Sequence, residues 1–135
     1  MNASRFSVFC FGAAAGWTVQ QCMIVAPILI KKLDKEGFRK TIRPIWSKFY
    51  RGLFIIESVN AACIYQSREI SMSIQFHIAT ASAIICALCI YIIPMMNDAS
   101  DSSGREAQKT FSRLHHLSVG GTSMLLLGNI STLFL

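Results

Sequence analysis

The side chains able to do chemistry are few, and they stand in apolar surroundings. Glu57 interrupts a stretch of sixteen residues, Gly52 to Ser67, that otherwise carries no formal charge, and Asn60 follows three residues on, hence on the same helical face. Gln20 lies inside a second charge-free run, and His115 and His116 stand at the head of a third. A carboxyl or amide in hydrocarbon is costly unless it is partnered, and an imidazole beside a carboxyl is a common acid–base pair. At about 1.5 Å per residue from the basic side, Glu57 lies ~10 Å beyond Tyr50 and His116 ~8 Å beyond Phe111, with Gln20 and Asn60 near ~15 Å. These depths predict a buried polar cluster of Gln20, Glu57, Asn60, His115 and His116. It is either a hydrogen-bond knot that fixes helix register or a site that handles a proton or a substrate. No metal ligand set is expected. Cys86-x-x-Cys89 has no second pair, and its thiols read as packing residues, as do Cys10, Cys22 and Cys63. His77 and His115 fall near opposite faces of a ~30 Å core, and His115 and His116 diverge by about 100° on a helix, so haem and other cofactors are not expected either. No nucleotide loop, nucleophile elbow or repeat occurs.

The elements that must position these groups follow from the spacing of charges. At 135 residues, 53% hydrophobic and 15% charged, the chain is one domain and too apolar for a soluble one. Twenty-five residues separate Arg5 from Lys31, twenty-eight separate Glu69 from Asp98, and twenty-two follow Arg113, all without a formal charge. About twenty suffice to cross hydrocarbon as a helix. With the weaker run around Glu57, this predicts an all-α, polytopic membrane protein: a bundle of four transmembrane helices over about 6–30, 49–66, 74–96 and 111–134. The first run is longer than the core of a cleaved signal peptide and reads as a span.

Between the first two runs lies a basic bridge, Lys31 to Arg51, with eight of the thirteen Lys and Arg of the chain and only Asp34 and Glu36 against them. Leu33, Phe38, Ile42, Ile45 and Trp46 recur there at roughly helical spacing, which predicts a short amphipathic linker helix in the headgroup layer, broken before Pro44. Eleven basic residues fall on the side of this bridge and of the loop after the third span, so that side is expected to face the cytosol or its equivalent, in contact with anionic headgroups. The net charge of +6 is therefore local, and no nucleic-acid partner is expected. Gly12 and Gly16, four apart, and Gly120 and Gly121 read as close-packing surfaces between helices, within the chain or toward a second copy or another membrane protein. Pro27 is expected to bend or end the first helix. The stretch Asn97 to Lys109 reads as the one polar, flexible loop.

Trp17 with Gln20, then Phe38, Trp46 and Tyr50, and finally Phe111-x-Arg113-x-His115-x-Leu117-Ser118 resemble the transmembrane-protein-205-like family, and the similarity covers most of the chain. The resemblance implies a small four-span membrane protein without an evident catalytic motif, from a family linked to transport or handling of toxic compounds such as platinum drugs. A second resemblance, carried by Pro94, Asn97 and Leu114-His115, is to the anthrone-oxygenase-like family. It implies a cofactor-independent oxygenase of the same size, although Ser118 and Val119 stand where that family's arginine is expected.

Overall fold

Long runs without charge leave the backbone one economical arrangement in an apolar medium, because a helix satisfies its polar groups within the segment. The computed structural model is helical throughout the residues it describes, 3–67 and 73–134, with short connections. Arg68 and Glu69, which the charge spacing puts in a short loop on the side opposite the basic bridge, lie outside the described residues.

The first rod joins α1 (Ala3–Val19), a π-helical segment (Gln20–Val25) and α2 (Ala26–Lys32) without a break. Pro27 accounts for the middle piece. It has no N–H for the Met23 carbonyl and its ring crowds that group, so the ladder upstream widens and the Ala26 N–H bonds the Gln21 carbonyl five residues back. The rod therefore does not end at Pro27; it continues to Lys32.

α3 (Lys35–Ser67) opens on Asp34, whose Oδ1 accepts the Gly37 N–H at 3.1 Å in the manner of a helix cap. It passes through Pro44 uninterrupted, which corrects the expectation of a separate linker helix broken there. Ile42, Phe49, Tyr50, Leu53, Glu57, Asn60 and Ile64 form one buried stripe at helical spacing, with no change of phase across the proline. Burying several large side chains, each worth roughly 1.5–3 kcal/mol, outweighs the ~3 kcal/mol that an interior proline costs. The connection between the first two rods is only Leu33 and Asp34, and most of the basic bridge is the first half of α3.

α4 (Ser73–Asp101) and α5 (Arg105–Ser131), the latter ending in a 3-10 turn (Thr132–Phe134), complete the chain. The loop expected over 97–109 shrinks to 102–104, where Gly104 takes φ 127°, a region glycine enters without strain. Each rod packs against two neighbours, α1 against α3 and α5, and α4 against the same two. α3 and α5 are thus diagonal across the bundle. Apolar clusters fill its centre, a larger one around Phe49, Leu53, Cys86, Cys89 and Leu125 and a smaller one of Phe11, Ile64 and Ala79.

Close approach falls at other glycines than most of those expected. Among the described residues nothing lies within 4 Å of where a Cβ would stand at Gly12, Gly16 or Gly120, and α1 turns Phe11, Ala14 and Thr18 inward instead of its glycines. Gly121 does pack, with a Cβ position 3.1 Å from Ile85 Cγ2. Gly52, which sequence reading passed over, receives the Trp17 ring.

Outside, the bundle is apolar as well, with Phe9, Met23, Tyr65, Tyr91, Leu127 and Phe134 all well exposed. Three helices, Ser4–Lys32, Ser73–Asp101 and Arg105–Phe134, are long and apolar enough to cross a membrane. α3 is not among them, since its apolar part is short and holds Glu57 and Asn60.

Candidate functional site

Three polar features occupy successive levels along α3, beginning at the basic end. The outermost is an ion-pair latch. Arg39 and Arg43, one turn apart and hence on one face, both reach Asp101 at the last turn of α4. Arg43 grips it with both nitrogens, Nη1 to Oδ2 at 2.9 Å and Nη2 to Oδ1 at 2.7 Å, and Arg39 bonds the same carboxylate. The two guanidiniums also donate to the Ser100 and Asn97 carbonyls, at 3.3 and 3.4 Å, and that of Ser100 is among the last carbonyls of the helix, which lack intrahelical partners and attract cations. These groups lie beyond the apolar part of α4. Hydrogen bonding to Arg43 holds the Asp101 carboxyl below the ordinary carboxylate range, and Asp101 in turn raises Arg43.

Behind the latch a cavity of about 370 Å³ opens between the rods. Its wall is mostly apolar and aromatic, with Phe38, Ile42, Trp46, Ile93, Phe111 and Leu126. Thr18 and Cys22, on either side of the start of the π segment, close it from the first rod. Trp46 is held by stacking on Tyr50 at 5.7 Å and by an edge contact with Phe49 at 5.3 Å, while the His115 ring lies flat on Phe111 at 5.7 Å. The cavity floor is polar. Tyr50 Oη lies 2.6 Å from Thr122 Oγ1 and 3.1 Å from Ser118 Oγ. Thr122 gives its only hydroxyl proton to the Ser118 carbonyl, so Tyr50 donates to Thr122 and Ser118 donates to Tyr50.

Two helical turns further in is a closed polar layer. Asn129 Nδ2 donates to Glu57 Oε1 at 2.7 Å, and Ser82 Oγ donates to Asn129 Oδ1 at 3.5 Å. Glu57, Asn60 and Asn129 are all fully buried. Among the described residues, Glu57 Oε2 and both amide atoms of Asn60 have no hydrogen-bond partner. From Tyr50 to Glu57 and from Thr122 to Asn129 is the same seven-residue step, which makes α3 and α5 parallel partners joined by side chains across the centre.

The five residues expected to form one cluster are thereby divided. Glu57 and Asn60 are together in the closed layer. His115 lines the cavity, and Asn129 is fourteen residues beyond it, or ~21 Å along α5. His116 is exposed and its Nδ1 bonds the Ser112 carbonyl at 2.6 Å, so neither histidine is at the level of Glu57. Gln20 is exposed; its neighbour Gln21 is buried, with Nε2 unpartnered among the described residues. The depth count failed because it began each helix at its apolar edge, Tyr50 and Phe111, whereas the helices begin at Lys35 and Arg105. Sequence reading missed Asn129, Ser82 and the Tyr50–Ser118–Thr122 floor. A usable signal existed for Asn129, an amide inside the charge-free run after Arg113. It also missed the latch, for which the four-residue spacing of Arg39 and Arg43 was the cue. Cys86 and Cys89 are buried in the larger apolar cluster.

Comparison of the chain with family models, with curated proteins and with solved structures finds no match.

Proposed function

We propose that this is a four-span integral membrane protein that binds a small, largely apolar molecule in the cavity at its basic end, and that it serves transport or handling of such compounds without chemistry of its own. The cavity carries the reading: it falls in the size class of small-molecule sites, apolar with a few convergent polar groups. Further support comes from six of the ten residues that suggested the transmembrane-protein-205-like family: Phe38, Trp46, Tyr50, Phe111, His115 and Ser118 line it, whereas Trp17, Gln20, Arg113 and Leu117 do not. Binding of a neutral fluorescent naphthylamine to the purified protein tests the proposal. Val119 lines the cavity and is half exposed, so Val119→Trp fills the space without disturbing the core and should weaken binding at least tenfold. Equal binding by that variant would refute the site.

The apolar outer surface and the three spanning-length helices support membrane insertion, and α3 becomes the fourth span if its basic first half stays at the headgroups. The exposed Lys31, Lys32, Lys35, Lys40 and Lys48 suit an anionic, cytosol-facing leaflet. Thiols introduced at Ser71 and Ser103 should then react with an impermeant maleimide from opposite sides. Reaction from one side would exclude four spans.

A cofactor-independent oxygenase is the second reading, and the His115 imidazole in the cavity wall is the observation in its favour, since a base there can reach a bound phenolic carbon acid. Oxygen uptake with an anthrone, abolished in His115→Ala, would establish it. No uptake by the native protein excludes it.

A further inference from the structure

The two arginines of the latch belong to two spaces at once. Arg39 and Arg43 line the apolar cavity, and with Lys35, Lys40, Glu36 and Asp101 they also line a second recess outside it. That recess brings four cations against two carboxylates. Moving outward from the Tyr50 floor, the surface is therefore apolar for the length of the cavity, then meets two guanidiniums on one side of α3, then opens into a basic surround. Such a sequence of environments is complementary to an amphiphile with one anionic head and one apolar tail.

Resting on the small-molecule reading above, we infer that the cavity takes an anionic amphiphile, its tail against Trp46 and Ile93 and its head on Arg39 and Arg43, and that Asp101 is the internal carboxylate such a head displaces. Three geometric facts support the displacement. Asp101 is an exposed side chain at a helix end, joined to the three-residue turn 102–104, so it can leave without unpacking the core. Arg43 holds it in a two-point fork, which a carboxylate or phosphate monoanion reproduces atom for atom. Both arginines keep contacts to helix-end carbonyls, so they remain oriented when the carboxylate goes. Lipid headgroups and free fatty acids share this chemistry.

The test uses the full chain in nanodiscs of neutral lipid, with a terminally brominated dodecanoate as probe, at about pH 9 so that the acid is ionised. Bromine in the cavity quenches Trp46, read with Trp17→Phe in every chain because Trp17 is partly exposed and does not line the cavity. The native protein should bind the acid at least tenfold more tightly than its methyl ester. Asp101→Asn should strengthen the acid severalfold by removing the competing carboxylate, and Arg39→Gln with Arg43→Gln should bring the acid down to the ester, with the ester unchanged in both. Loss of quenching when phosphatidylglycerol is added to the disc identifies the head as that of a membrane phospholipid, and its persistence identifies a single-chain acid. Equal binding of acid and ester, or an Asp101→Asn variant that binds the acid no better, overturns the inference. If Val119→Trp still weakens naphthylamine binding in that case, the small-molecule cavity stands alone; if neither probe quenches and naphthylamine does not bind, both readings fall.

Discussion

The two polar levels inside the bundle are built from different side chains, hydroxyls at the floor and a carboxyl with amides beyond it, and are satisfied very differently. At the cavity floor, Tyr50, Ser118 and Thr122 form a directed chain in which each hydroxyl proton has a defined acceptor. One layer deeper, Glu57 has one oxygen bonded and one without a partner among the described residues, and the Asn60 amide has none there. The open site is the well-satisfied one and the closed site is not. Serine and threonine hydroxyls on helices can fall back on the carbonyl one turn earlier, as Thr122 does, so they tolerate a changing cavity. A carboxyl and an amide have no such recourse on a helix and depend on what the other rods bring. The lesson is that the shallow layer is suited to contact a guest, and the deep layer to register the helices, since only one sliding position brings Asn129 to Glu57.

Breaking the deep layer should have the largest effect. Asn129→Leu removes the one bond to the Glu57 carboxyl and should cost about 3 kcal/mol in reversible unfolding in detergent, while Glu57→Gln, which still accepts from Asn129, should stay within ~1 kcal/mol. A cost below ~1 kcal/mol for Asn129→Leu would erase the distinction between the layers. Gly121 packs α5 against Ile85 of α4, the rod that brings Ser82 to the deep layer. Gly121→Leu must displace Ile85 and should cost about 2 kcal/mol on the same scale, whereas Gly120→Leu, in open space, should cost little. Similar values for the two would show that the rods can move apart freely. Tyr50→Phe, at the cavity floor, should lose only ~1 kcal/mol, because Thr122 keeps its backbone bond and Ser118 faces a cavity that water can enter. A loss as large as that of Asn129→Leu would make the floor, too, a register device.

The smallest effect belongs to the latch. A carboxylate whose folded value is depressed contributes stability that is complete above its unfolded value and disappears as pH falls through the folded one. The Asp101 latch should therefore be unchanged from pH ~7 to ~5 and open only in acid below ~4. A melting temperature followed against pH in native and Asp101→Asn chains checks this: the two curves should converge in acid, and divergence there would assign the acid response to another group.

Much of this architecture was legible in residue order. Charge-free runs dictate where helices lie, the step from Glu57 to Asn60 puts both on one face, and clustered Lys and Arg mark the polar end. These are local consequences of helical geometry and desolvation, and they need no knowledge of neighbours. The continuity of α3 through Pro44 was not legible, because a proline penalty is local whereas the stripe that overrides it gains its energy from the other rods. The partner of Glu57 was not legible either. A rise of about 1.5 Å per residue measures depth within one helix, but the zero of that scale differs between helices and is set by where each begins and how it packs. Lys35 to Glu57 and Arg105 to Asn129 turn out to be nearly equal paths, and that equality, decided by tertiary packing, brings an amide rather than an imidazole to the buried carboxyl.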